Sequence, residues 1–213
     1  MPLDVVYADA GIVVLNKPSG LLSVPGKTCD ECLSLQVQAE FADALIVHRL
    51  DMSTSGLLVM ARGLAAQRML NDHFARRLVH KRYVAMAHGD CRSDPVAADG
   101  WHTIDLPILV DWPNRPLRKI DCEAGKPSRT RWRCVHFVPE RHASRLELEP
   151  LTGRSHQLRV HLQAIGHPIV GDALYAPPEL AAASPRLLLH ATELAFAHPV
   201  SGEWISFCSP DGF

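Results

Sequence analysis

No stretch of this sequence is apolar for long enough to cross a bilayer. The longest apolar runs, such as Gly11 to Leu15 and Leu187 to Leu189, are strand-sized, against the roughly 20 residues that a spanning helix needs. A membrane protein is therefore not expected. No secretory signal is visible either: Met1-Pro2-Leu3-Asp4 has no basic segment followed by an apolar one, so a cytoplasmic location is the expectation. Charge imbalance is also lacking, with 22 Lys and Arg against 23 Asp and Glu and a net charge of −1. A protein that grips a polyanion by bulk attraction would be strongly basic, so any contact with nucleic acid has to be local. Cys29-Asp30-Glu31-Cys32 is the sole C-x-x-C among six cysteines. A structural zinc site wants four ligands and usually two such pairs, so these read as reduced thiols on a turn. His156 and His161 are five apart with no glutamate between them, which is not the H-E-x-x-H spacing of a zinc hydrolase. Neither a metal nor a cofactor is expected, and no repeat or low-complexity tract is present.

What is there suits one substantial core. A chain of 213 residues that is 47% hydrophobic has the size of a single domain, so residues 1–213 are expected to form one catalytic unit. Val5 to Tyr7 and Ile12 to Leu15 read as a strand pair around a turn at Asp9-Ala10-Gly11. Leu33 to Phe41 is a helix candidate, Leu57 to Met60 a buried strand, and Ala65 to Phe74 a helix with Ala66, Met69, Leu70 and His73 at helical spacing. Tyr83 to Met86 alternates as a strand does. Cys91 to Pro127 is rich in proline, glycine and charge, which predicts a loop-rich, ligand-facing middle. Arg129 to Phe137 and Arg145 to Leu151 predict a long antiparallel hairpin. Thr152-Gly153 turns into an amphipathic helix from Gln157 to Ile165, ended by Gly166 with Pro168 beyond. Leu187 to Leu189, Leu194 to Ala197 and Trp204 to Phe207 complete the sheet. The expected class is α+β, a mixed and mainly antiparallel sheet flanked by helices and long loops.

Chemistry is suggested at two junctions. Asp51 follows His48-Arg49-Leu50 and precedes the small hydroxyl-rich turn Ser53-Thr54-Ser55-Gly56, between apolar strands, where a rigid scaffold can hold a carboxylate. Leu151-Thr152-Gly153-Arg154 joins a strand to a helix through glycine, so the Arg154 guanidinium should emerge at that corner. An arginine paired with a carboxylate keeps it ionised and fixes its oxygens, although spacing alone favours two unrelated surface charges. Two basic segments could meet phosphate: Arg76-Arg77 with Lys81-Arg82, and the run from Arg115 through Arg118, Lys119, Lys126, Arg129 and Arg131 to Arg133. Taken alone, each also reads as a solvated charged face.

His48-Arg49-Leu50-Asp51 followed by Thr54-Ser55-Gly56 resembles the catalytic signature of the RluA family of pseudouridine synthases. Asn16-Lys17-Pro18-Ser19-Gly20 resembles that family's first motif, Lys81-Arg82-Tyr83 its tyrosine motif, and Leu151-Thr152-Gly153-Arg154 through Gln157-Leu158-Arg159-Val160-His161 its last. Leu21 to Gly26, Asp111-Trp112-Pro113-Asn114-Arg115-Pro116 and Gly125-Lys126-Pro127 look like the subgroup that acts on both 23S ribosomal RNA and tRNA. The resemblance implies that uracil is cut from C1′ of its ribose, turned and rejoined through C5, without metal or cofactor. Asp51 would be the nucleophile, attacking C1′ or C6 or drawing a proton from C2′. Arg154 would be its salt-bridge partner and Tyr83 would stack on the base and serve in proton transfer from C5. Leu158 would form an apolar wall, its spacing with Leu162 being also that of a core leucine. Arg49 would fill the gap left by the flipped uridine, since a planar cation can stack and hydrogen-bond together. Lys17, Lys81, Arg115 and Lys126 would meet the RNA backbone.

Other readings are weaker. Gly20 to Thr28 mimics a P-loop, but five residues separate its glycines instead of four and Pro25 removes an amide, which argues against a nucleotide triphosphatase. A non-catalytic RNA-binding module explains the basic run but gives no reason for Asp51, Tyr83 and Arg154 together. Many relatives carry an N-terminal S4-type RNA-binding domain, for which there is no room before Asn16. The catalytic domain is therefore expected to recognise RNA itself, in small stem-loops: a 23S rRNA hairpin loop and the tRNA anticodon loop at its first position. A monomer with no obligate protein partner is expected.

Overall fold

A computed structural model describes residues 3–26, 31–93 and 99–213. The chain forms two compact units, one from Met1–Lys81 with His190–Phe213 and one from Arg82–Leu189.

The first unit is built around β4 (Ser55–Arg62), whose residues from Ser55 to Ala61 are all buried. A strand buried on both faces needs no alternation, and Leu57-Leu58-Val59-Met60 is apolar throughout. β1 (Val5–Ala8) pairs with β2 (Ile12–Lys17), and β2 runs antiparallel along the length of β4, from Ile12 opposite Ala61 to Lys17 opposite Gly56. On the other edge of β4, β3 (Ala44–Ile46) lies antiparallel at its end and β11 (Leu189–Ala197) parallel at its start. β12 (Trp204–Cys208) returns along β11. The parallel pair makes the sheet mixed, as expected. α1 (Leu33–Glu40) and α2 (Gly63–Ala75) cover it. Ala66 and Leu70 of α2 enter a core with Ile12, Val59 and Phe196, while Met69, on the periodic stripe, turns outward.

The second unit carries the antiparallel order β5 (His80–His88), β10 (Ala143–Pro150), β9 (Arg129–Val138), β6 (His102–Asp105). In β10, Leu146 and Leu148 are buried and Glu147 and Glu149 are partly exposed, the period-two pattern of a half-covered sheet. α3 (Gln157–Ala164) packs Leu158 and Leu162 against these leucines, and α4 (Pro178–Ala182) is a single short helix.

The described part of the middle of the chain is loop-rich, as expected, with three short strands among the loops. It holds β6 and a separate hairpin, β7 (Ile108–Val110) with β8 (Arg118–Ile120). Strands of three or four residues between prolines are too short for alternation to show.

Candidate active site: two braced turns

Asp51 sits in a turn of the first unit, partly buried, with its carbonyl accepting the Thr54 N–H at 3.1 Å. The segment from Lys17 to Ser23 grips this turn residue by residue. The buried Ser23 hydroxyl donates to the Leu50 carbonyl at 2.7 Å and accepts the Leu50 N–H at 3.1 Å. The Gly20 N–H donates to the Met52 carbonyl at 2.8 Å, and the Ser19 hydroxyl donates to the Ser53 carbonyl at 2.7 Å. Both chain neighbours of Asp51 are thus tied down, which is what presenting one carboxylate in a fixed place requires.

Lys17 completes the grip and corrects an expectation. It was expected to meet phosphate, but it is 0% exposed. Its ammonium donates to the carbonyls of Pro18 at 2.8 Å, Leu21 at 2.7 Å and Met52 at 3.0 Å. Three donors are matched by three acceptors, so none remains for RNA. Burial pulls the lysine down to about 8, and the attraction of Asp51 partly opposes this. Lys17 is thus a cation that the fold places near Asp51.

His48 fixes the other side. Its Nε2 accepts the Val59 N–H at 3.1 Å and its ring stacks on Phe74 at 4.6 Å. Burial, with the nearby charge of Lys81, holds it down to about 3, so the ring is neutral and keeps the lone pair that this bond needs. Lys81 is itself half-buried, which lowers its pKa. Arg49 is exposed. Past the turn, Ser55 Oγ lies 2.8 Å from His190 Nδ1, and His190 Nε2 lies 3.2 Å from Ser209 Oγ, a buried polar chain to the C-terminal segment.

The second turn, Thr152 to His156, precedes α3 and carries an exposed Arg154. Its hub is Gln157, which is buried and uses its whole amide. Its oxygen accepts the Thr152 hydroxyl at 2.7 Å and the Arg154 N–H at 3.1 Å. Its nitrogen donates to the Arg129 carbonyl at 2.9 Å and the Thr130 hydroxyl at 3.0 Å. His156 adopts the left-handed conformation and bonds Tyr175 through Nδ1 at 2.7 Å. The buried Arg159–Asp172 pair, at 2.6 and 2.8 Å, supports this corner, and Asp172 also accepts the N–H groups of Leu174 and Tyr175. Tyr83, opposite Leu148 on β5, packs against the core cluster of which Leu158 is one member. His161 bonds Thr130 and the Leu106 carbonyl and is a core support.

Arg115 and Lys126 are exposed, on the β7–β8 connection and just after it. A cleft beside β8 and the end of α3 is lined by Leu117, Lys119, Gln163 and Tyr175 among others. None of the predicted catalytic residues lines it. Among the described residues no group of three or more His, Cys, Asp or Glu is placed to hold a metal. Cys29 of the C-x-x-C and the Lys27-Thr28 end of the P-loop mimic lie outside the described residues. No helix among those described is long and apolar enough to cross a membrane.

Sequence reasoning missed Ser23, Gln157 and Tyr175. The first two stand inside the stretches that carry the family resemblance, and that membership was their signal.

The pattern of the RNA pseudouridylate synthase family matches residues 11–164. The dual-specificity RNA pseudouridine synthase RluA of Escherichia coli O6:H1 is 47% identical over 213 residues, covering 99% of this chain and 94% of that protein. The protein of the same name from Pasteurella multocida is 46% identical over 214 residues, with the same coverage. The solved structure of human RNA Pseudouridylate Synthase Domain Containing 1 superposes with a TM-score of 0.82 at 31% identity, covering 100% of this chain and 84% of that one. With its signature aspartate in a turn braced on both sides, this chain belongs to the RNA pseudouridylate synthase family.

Proposed function

We propose that this pseudouridine synthase is dual-specific, converting uridine to pseudouridine in a 23S rRNA hairpin loop and at the first position of the tRNA anticodon loop. The names of its full-length relatives support the two substrates. The observation that carries the catalytic assignment is the grip on Leu50, Met52 and Ser53 around Asp51. A carboxylate so held is suited to act on C1′ or C6, or on the C2′ proton, of one nucleotide that never leaves the site.

Arg154 is assigned as the ion-pair partner of that carboxylate and Tyr83 as the group that faces the base, both on their motifs. Leu158 is the apolar wall. The target uridine must leave its stack, which costs a few kcal/mol and least in a loop; Arg49 takes the vacated place. Lys81, Arg115 and Lys126 meet the RNA backbone. The enzyme acts as a monomer, in the cytoplasm, without metal or cofactor.

Pseudouridine mapping in cells that lack the gene tests the substrates: both sites should lose the modification and regain it with the wild-type gene. Retention of both modifications would refute the assignment. Asp51→Ala should restore neither site while the purified variant still binds the stem-loop RNA. Isomerisation by that variant would remove Asp51 from the mechanism.

A further inference from the structure

The basic run of the second unit is mostly neutralised by its own surroundings. Arg129 pairs with Asp105, Arg131 with Asp99 and Glu149, Arg133 with Glu147, and Lys119 with Asp121. The Arg118 guanidinium donates to the carbonyls of Pro116 and Leu117. Arg115 and Lys126 have no acidic partner among the described residues, and both belong to one arm. Lys126 pairs its backbone with Ile108 at the foot of β7, and Arg115 lies in the tip between β7 and β8.

At that tip the Arg115 guanidinium lies 4.3 Å from the ring centroid of Trp112, yet Trp112 remains 64% exposed. Trp101 gives the contrast: Arg131 and Arg133 approach its ring at 4.9 and 4.8 Å, but it is 8% exposed and serves packing. The tip is shaped before anything binds. Asn114 donates to the Asp111 carboxylate at 2.9 Å, Leu117 N–H to the Asn114 carbonyl at 3.0 Å, and Asp111 N–H to the Leu117 carbonyl at 3.1 Å. The root is tied down as well, because the Arg118 N–H donates to the Tyr175 hydroxyl at 2.9 Å, the same hydroxyl that bonds His156. An indole held out into water beside a cation offers a base a stacking face and its phosphate a counter-charge.

We propose that the Trp112–Arg115 stack is a base-binding platform for an unpaired nucleotide of the RNA substrate other than the one isomerised, with Lys126 contacting the backbone along the same arm. This rests on the reading of the chain as an enzyme acting on stem-loop RNA. The site selects a stacked base without reading its edge, so it adds affinity and orientation more than sequence preference.

The test uses the full chain and a tRNA anticodon stem-loop transcript. Trp112→Ala should weaken binding and raise KM roughly tenfold, the loss expected for one base–aromatic stack, with kcat kept. Trp112→Phe should recover much of the affinity. RNA should quench the fluorescence of the wild type, which has four tryptophans, and quench Trp112→Phe less. Unchanged affinity in Trp112→Ala together with undiminished quenching in Trp112→Phe would overturn the platform. So would a Trp112→Ala variant altered in sedimentation and not in RNA affinity, which would mark a protein contact. Failure of the wild type to isomerise the transcript would instead count against the anticodon-loop assignment.

Discussion

A lysine with no exposed surface has to satisfy its charge locally, and Lys17 does so with three carbonyls beside the turn that holds Asp51. Lys17→Met keeps the length but removes three charge-assisted bonds. Stability should fall by about 2–4 kcal/mol, measured by urea unfolding, and kcat should fall with it as the Met52 carbonyl is released. The pH dependence identifies the group. Its folded pKa of about 8 lies below the ordinary 10.5, so between these values the unfolded chain binds a proton that the folded chain has lost. Unfolding free energy therefore rises with pH across that window, on the order of 3 kcal/mol in all, and Lys17→Met should lack this rise. At neutral pH both states are charged and the cost of burying the ammonium is present in full. The sequence made Asp51 legible because its flanking residues form a motif. It misplaced Lys17, since a lysine before Pro-Ser-Gly has every local mark of an exposed loop, and only long-range bonds to Met52 and a covering segment bury it. Gln157 was hidden for a related reason: its four partners come from two stretches of chain, its own turn and the start of β9.

Elements set the precision of the two turns. β4 and β11 run parallel where Gly56 meets Ala191, and Gly56 has a φ of +109°. A side chain at 56 would be strained and its Cβ would run into the Ala191 backbone, which cannot move aside as a flexible side chain can. Gly56→Ala should lower stability by about 3 kcal/mol or more, read as the thermal midpoint, and should reduce activity even at temperatures where the variant is folded. This glycine closes the Thr54-Ser55-Gly56 motif, so the sequence marked it, but the reason lies in the neighbouring strand. The long elements, β4, β9, β10 and α3, were readable because their apolar runs and spacings are long enough to carry a pattern, and in β10 burial follows it by alternating from Leu146 to Glu149. β6, β7 and β8 were not, since each owes its existence to a partner strand and none is long enough to carry a pattern. The Tyr175 hydroxyl, which bonds both the β8 backbone and the turn before α3, shows how these short elements acquire a fixed place.

Taken whole, a molecule with net charge −1 gains little from long-range attraction to RNA, and most cations of its basic run are already paired. RNA affinity should consequently fall only gently with salt, through a few phosphates neutralised at defined places. Lys126→Ala should reduce the slope of log K against log salt by roughly 0.7 to 0.9, the contribution of one released counterion. An unchanged slope would show that Lys126 meets no phosphate. Composition made this local character legible; which cations stay unpaired depends on the cross-strand carboxylates of β10 and is visible only in the fold.

The two compact units also differ in how the chain supplies them. The second is continuous, from Arg82 to Leu189, whereas the first needs both Met1–Lys81 and His190–Phe213. Synthesis from the N-terminus releases the second unit entire before the first can close. Until His190 leaves the ribosome, Ser55 lacks its imidazole partner and Gly56 its neighbouring strand. The sheet beside the aspartate turn is therefore completed only once the stretch from His190 has been made, after the whole of the second unit.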